Sequence, residues 1–112
     1  MRGFVLERLG RALLVRCTGP LTIEVVGDLK REMEGHFAVG GFAVLAVDLS
    51  DVDFLDSSGI GALVSLNSRA ASTGRLFRLL KPSIKVQKTL DLVKLLDFFS
   101  FEECEQNLEL LD

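Results

Sequence analysis

Tryptophan and tyrosine are missing from this 112-residue chain, histidine occurs once, and cysteine and proline occur twice each. The lone His36 has no cysteines clustered with it, so the donor sets that hold zinc cannot form and no metal centre is expected. It stands instead where a first helix should end, a position that favours positive charge. Asp48, Asp51, Asp53 and Asp56 raise a magnesium site, but they read equally well as the acids of a polar loop, and none is counted as a metal ligand. Cys17 and Cys104 lie far apart and fit reduced cytosolic thiols better than a disulfide.

Basic runs are also absent. With a formal net charge of −3, neither nucleic acid nor an anionic membrane is an expected partner. Lys81, Lys85, Lys88 and Lys94 are interrupted by acids and apolar residues and read as a solvated helix face. No stretch of about 18 apolar residues is present to cross a bilayer, so no membrane insertion is expected. No charged and apolar leader stands at the start, and the expected location is the cytoplasm. The nucleophile-elbow pattern G-x-S-x-G is missing, as is a glycine-rich phosphate cradle with its lysine. Neither a hydrolase nor an intrinsic NTPase is therefore expected, and no cofactor is assigned.

What is present is globular material. Hydrophobic residues make up 48% and charged residues 26%, enough apolar mass for one core. Phe4–Leu9 and Ala12–Cys17 read as β segments joined by a turn at Gly10. Val25, Val26, Leu29, Met33 and Phe37 recur at helical spacing, and Gly35 and Gly40-Gly41 should close that helix. Phe42–Leu49 is almost wholly apolar, which suits a strand covered on both faces. A helix is predicted over Ser57–Ala71, with Ile60, Leu63, Val64 and Ala70 inward, and then a strand over Leu76–Leu80. Ser83, behind Pro82, predicts the N-cap of a third helix carrying Val86, Leu90 and Val93 inward. An extended segment around Phe98–Phe101 and a closing helix with Leu108 and Leu111 inward complete the chain. The phenylalanines are assigned mainly to the core, Phe98-Phe99 being the one pair able to expose an apolar patch. The order β-β-α-β-α-β-α-β-α predicts an α/β fold, a mixed sheet of four to five strands packed with about four helices.

One stretch asks for more than packing. In "VDFLDSSGIGALVSL", Val52–Leu66, two serines sit where a strand gives way to a helix. Asp56 is a good N-cap, and its charge suits the positive end of the helix. Gly59 and Gly61 each cost about 1 kcal/mol relative to alanine inside a helix, which suggests close approach of another backbone or a partner. The end of a strand meeting the start of a helix is where open α/β sheets place their sites. Free backbone N–H groups there tolerate a phosphate, so small Ser57 and Ser58 are sensible phosphoryl acceptors.

The chain resembles the STAS domain family of bacterial anti-sigma factor antagonists. The matching residues are "LLVRCTGPLT", "VLAVDLSDVDFLDSSGIGAL" and "GRLFRLLKPSIKVQKTLDL", which together with the patterned positions between them span nearly all of residues 1–112. The resemblance implies a single STAS domain and a switch rather than a catalyst. It implies phosphorylation of Ser57, the serine directly after the aspartate, by an anti-sigma factor that is a serine kinase. The unphosphorylated form would bind that kinase and release a sigma factor, and a phosphatase would restore binding. The implied partner-binding face comprises Thr22, Asp56, Ser57, Ser58 and Gly59. Two positions depart from the family pattern: Thr22 stands where an aspartate is usual, and Lys94 where a glycine often ends the third helix. With a lysine there, the third helix is expected to run on or to end differently. The departures keep a second role open, a non-phosphorylated STAS scaffold subunit of a regulatory or ABC lipid-transport complex.

Overall fold

Alternation sets the first hairpin. In strand β1 (Phe4–Leu9), Phe4 and Leu6 face one side of the sheet, opposite Cys17 and Val15 of the antiparallel strand β2 (Ala12–Cys17). Gly10 turns the chain with a φ of +57°. The structure is a computed structural model describing residues 2–111; Met1 and Asp112, the two ends of the expected domain, lie outside the described residues.

From β2 onward the chain repeats strand, helix, strand. Helix α1 (Ile23–Val39) buries Val26, Leu29, Met33 and Phe37, a stripe at helical spacing. It runs through Gly35 and stops only at Gly40, whose N–H donates to the His36 carbonyl at 2.8 Å with a φ of +77°. Strand β3 (Val44–Asp48) is buried throughout, as its apolar run Val44–Val47 requires, with Asp48 buried at its end. Helix α2 (Ser57–Ser72), strand β4 (Leu76–Leu80), helix α3 (Ile84–Leu92) and the two-residue strand β5 (Phe101–Glu102) follow. The strand order is β1-β2-β3-β4-β5, parallel at every pairing after the first hairpin. Successive one-handed crossovers in one direction put all three helices on the same face. Their buried residues join Leu13, Val15, Leu45, Val47, Phe77 and Leu79 in a single core. This is the expected mixed-sheet α/β domain.

The opposite face is covered differently. Ala12, Leu14, Val44, Ala46 and Leu80 pack under Leu108, which belongs to a 3-10 helix (Glu105–Leu110). The sequence predicted an α-helix there with Leu108 and Leu111 inward. Leu108 is fully buried and Leu111 half-buried, but six residues carry one such anchor, too little to stabilise α-helical turns. The extended segment expected around Phe98–Phe101 is largely present: exposed Phe98 closes a 3-10 turn (Leu96–Phe98), buried Phe99 is extended, and Phe101 opens β5.

Val93 is half-exposed rather than inward, because α3 ends one residue before it. The way it ends resolves the Lys94 departure. Lys94 adopts a φ of +64°, its N–H donates to the Asp91 carbonyl at 3.0 Å, and the Leu95 N–H donates to the Leu90 carbonyl at 2.8 Å. This is the Schellman arrangement that Gly74 completes at the end of α2, there with Gly74 N–H to Ala71 and Arg75 N–H to Ala70. The lysine accepts the left-handed strain, about 1–2 kcal/mol, rather than prolonging the helix.

Candidate functional site

Two loops leaving the parallel strands meet edge to edge. The loop after β2 carries Pro20-Leu21-Thr22, and the loop after β3 carries Phe54-Leu55-Asp56. Leu21 and Leu55 form an isolated parallel bridge. The Leu21 N–H donates to the Phe54 carbonyl at 3.0 Å and the Asp56 N–H to the Leu21 carbonyl at 3.4 Å. Both leucines are buried, so the loops are pinned from beneath.

Asp56 then serves two helices. Its Oδ1 accepts the Gly59 N–H at 2.8 Å, the expected N-cap of α2. Its Oδ2 accepts the Ile23 N–H at 3.0 Å, at the start of α1. Thr22 occupies the N-cap position of α1, yet its side chain makes no capping bond. The side-chain bond at the start of α1 comes instead from Asp56. These bonds favour the carboxylate, the Gly59 N–H most and the Ile23 N–H next, and hold Asp56 below the usual carboxyl range.

Gly59 is where the close approach occurs. A Cβ built on it would lie 3.0 Å from the Leu21 carbonyl carbon and nearer still to its oxygen, so any side chain would break the junction of the loops. Gly61 has nothing within 4 Å and faces open space, so no backbone of this chain explains it.

The structure brings Thr22, Asp56, Ser57, Ser58 and Gly59 together. Ser57 opens α2 and is exposed, Ser58 is half-buried, and Gly59 is buried. Neither serine hydroxyl has a hydrogen-bond partner among the described residues. Around them lies what the helical and strand patterns overlooked. Ile23 and Phe54 are exposed, 66% and 55%, on either side of a shallow depression also lined by Pro20, Glu24, Val25 and Asp56. The available signal was a phenylalanine set among the aspartates of a loop.

A second polar cluster lies on the sheet face away from the helices. Arg16 donates to Glu7, to buried Asp48 at 2.8 Å and to both carboxylate oxygens of Glu105 at 3.0 and 2.8 Å. Its guanidinium is held charged above the ordinary arginine range, first by Glu7 and then by Glu105. Burial pushes the neighbouring Cys17 thiol up to about 12, with the Asp48 charge adding to the effect. No three His, Cys, Asp or Glu side chains converge as metal ligands, and no helix is long and apolar enough to cross a membrane, among the described residues.

The sequence profile of the STAS domain matches residues 4–110. The chain belongs to the STAS domain family. A Thermotoga maritima protein provisionally named an anti-sigma factor antagonist is 32% identical over 75 residues, 67% of this chain and 66%, just under two thirds, of that relative. A crystal structure of a protein from the same organism, also provisionally named an anti-sigma factor antagonist, superposes with a TM-score of 0.84 at 24% identity, covering 96% of this chain and 93% of that one. The anti-sigma factor antagonist SpoIIAA in its unphosphorylated form gives a TM-score of 0.82 at 21% identity, covering 96% and 95%. In its phosphorylated form, that Bacillus protein gives 0.76 at 19%, covering 97% and 99%. At these identities the superpositions establish a STAS fold. The serine turn is part of that fold in this chain, held by the Leu21–Leu55 bridge and the Asp56 caps.

Proposed function

We propose that residues 1–112 act as one STAS domain, a cytoplasmic anti-sigma factor antagonist that binds an anti-sigma factor kinase through Thr22, Asp56, Ser57, Ser58 and Gly59. Phosphorylation of Ser57 switches it off. The observation that carries this reading is the exposed, unbonded Ser57 hydroxyl at the first residue of α2, beside a carboxylate already committed to two helix starts. The names of the relatives support the partner class, and the existence of a phosphorylated form of SpoIIAA supports the modification.

In the transfer, the Ser57 oxygen attacks the γ-phosphorus of ATP on the kinase. An O–P bond forms, the bond to the β-phosphate oxygen breaks, ADP leaves, and the hydroxyl proton passes to a base of the kinase. A phosphatase hydrolyses the ester and restores the hydroxyl. The phosphoserine adds about −1.5 to −2 charges, which disrupts an interface through like-charge repulsion and loss of water. Against a carboxylate about 7 Å away, repulsion is roughly 1 kcal/mol in water and 5 kcal/mol at an effective dielectric of about 20. The middle of that range, about 3 kcal/mol, is on the order of a hundredfold in affinity. The fold does not depend on the Ser57 hydroxyl and should survive the change.

A second reading, a scaffold subunit that binds without being phosphorylated, is favoured by the neutral Thr22 at the junction. One experiment separates the two. The chain is incubated with a purified anti-sigma factor kinase and ATP, and phosphate is located by mass spectrometry. Label on Ser57 and loss of binding by Ser57→Asp are expected; binding with no label on either serine would replace the switch with the scaffold.

A further inference from the structure

The residues that form the serine corner share a charge pattern. The segments 17–29 and 42–68 contain Glu24, Asp28, Asp48, Asp51, Asp53 and Asp56 and no lysine or arginine. Asp48 is buried and turned to Arg16, and Asp28 pairs with Arg31. Among the described residues, Glu24, Asp51, Asp53 and Asp56 form no ion pair. Inside this acidic surround stand Ile23 and Phe54, two large apolar side chains left in water on the same depression. Their backbones are not free to retract. The Ile23 N–H is bonded to Asp56, and the Phe54 carbonyl accepts from Leu21. An apolar centre within a charged rim is the make-up of a protein interface. The sign of the rim fixes the partner's sign.

We infer that Ile23 and Phe54 are the apolar anchors of the partner interface, and that the surface they enter is an apolar socket edged with arginine or lysine on the anti-sigma factor. This rests on the anti-sigma factor as partner, and it adds which residues grip and what chemistry receives them. The anchors supply affinity whatever the state of Ser57, and Glu24 and Asp53 steer the encounter. The phosphate acts afterwards, by charging an apolar contact that must be dry.

The test measures binding of the full chain to purified anti-sigma factors of the source genome by surface plasmon resonance. Phe54→Ala and Ile23→Ala are each expected to weaken the bound complex about tenfold, chiefly in the off-rate. Glu24→Lys with Asp53→Lys should slow association about tenfold, and higher salt should slow the wild type likewise. All four residues are exposed, and circular dichroism checks that the variants fold. A binder indifferent to the anchor substitutions, or one that associates faster with the reversed charges, overturns the inference. If that same binder is lost with Ser57→Asp, the phosphoswitch still stands. A binder that needs the anchors but ignores Ser57→Asp supports the inference and overturns the switch. No anti-sigma factor binding the wild-type chain at tens of micromolar overturns both.

Discussion

Acidic residues gather at two corners of this domain, and the fold treats them in opposite ways. On the face away from the helices, Glu7, Asp48 and Glu105 close around Arg16, while Arg78 and Lys81 take Glu102 and Glu105. Those pairs fasten the C-terminal segment to the sheet. At the serine corner, Glu24, Asp51 and Asp53 are exposed with no cation, and Asp56 spends its charge on backbone N–H groups. A net charge of −3 is blind to that division. At one corner the acids hold the structure together, and at the other they are left open to water.

The sharpest way to break the serine corner is Gly59→Ala. Its Cβ has no room against the Leu21 carbonyl, which is backbone and cannot step aside without opening the Leu21–Leu55 bridge. A loss of about 3 kcal/mol or more is expected, seen as a fall in Tm of roughly 10–20 °C by calorimetry. Next is Arg16→Ala, which attacks the paired corner and strands Asp48 in the interior with only the Ser50 N–H. Since Arg16 is itself partly open to water, roughly 2 kcal/mol should be lost, measurable as a lower urea midpoint. Partner affinity at the serine corner should not change. Gly61→Ala should go the other way. With open space around it, the added methyl gives about 0.5–1 kcal/mol of extra stability in urea unfolding.

The smallest effect is acid dependence. Asp56 has a folded pKa below its unfolded value, so its stabilisation is complete above the unfolded pKa, near 4, and is lost as pH falls through the lower folded value. Asp56→Asn does not titrate. The gap in urea midpoint between wild type and Asp56→Asn should therefore be constant at neutral pH and narrow only below about pH 4.

Local chemistry was well written in the sequence. The bounds of β1, β2 and β4 follow from runs of apolar residues between turns, and the Ser83 cap follows from a serine behind a proline, with the Val86 N–H donating to its hydroxyl at 3.2 Å. The serine turn was legible for the same reason: strand end, acid, hydroxyls and helix start are contiguous. What escaped was set by distant partners. The second bond of Asp56 reaches across 33 residues to Ile23, and Arg16 reaches across 89 to Glu105. The two glycines of the serine turn look alike in sequence, yet only Gly59 lies against another backbone. The C-terminal segment was misread because periodicity reports which residues turn inward, and a 3-10 turn buries Leu108 as well as an α-helix would.

The two cysteines differ as sharply as the two acidic corners. Cys17 is sealed in the core with its thiol pushed up to about 12, while Cys104 is exposed on the C-terminal segment. A thiol-directed dye applied to the native protein should therefore mark one position only, away from the serine turn in sequence, without any engineered residue. The native chain carries its own handle for following the partner on and off.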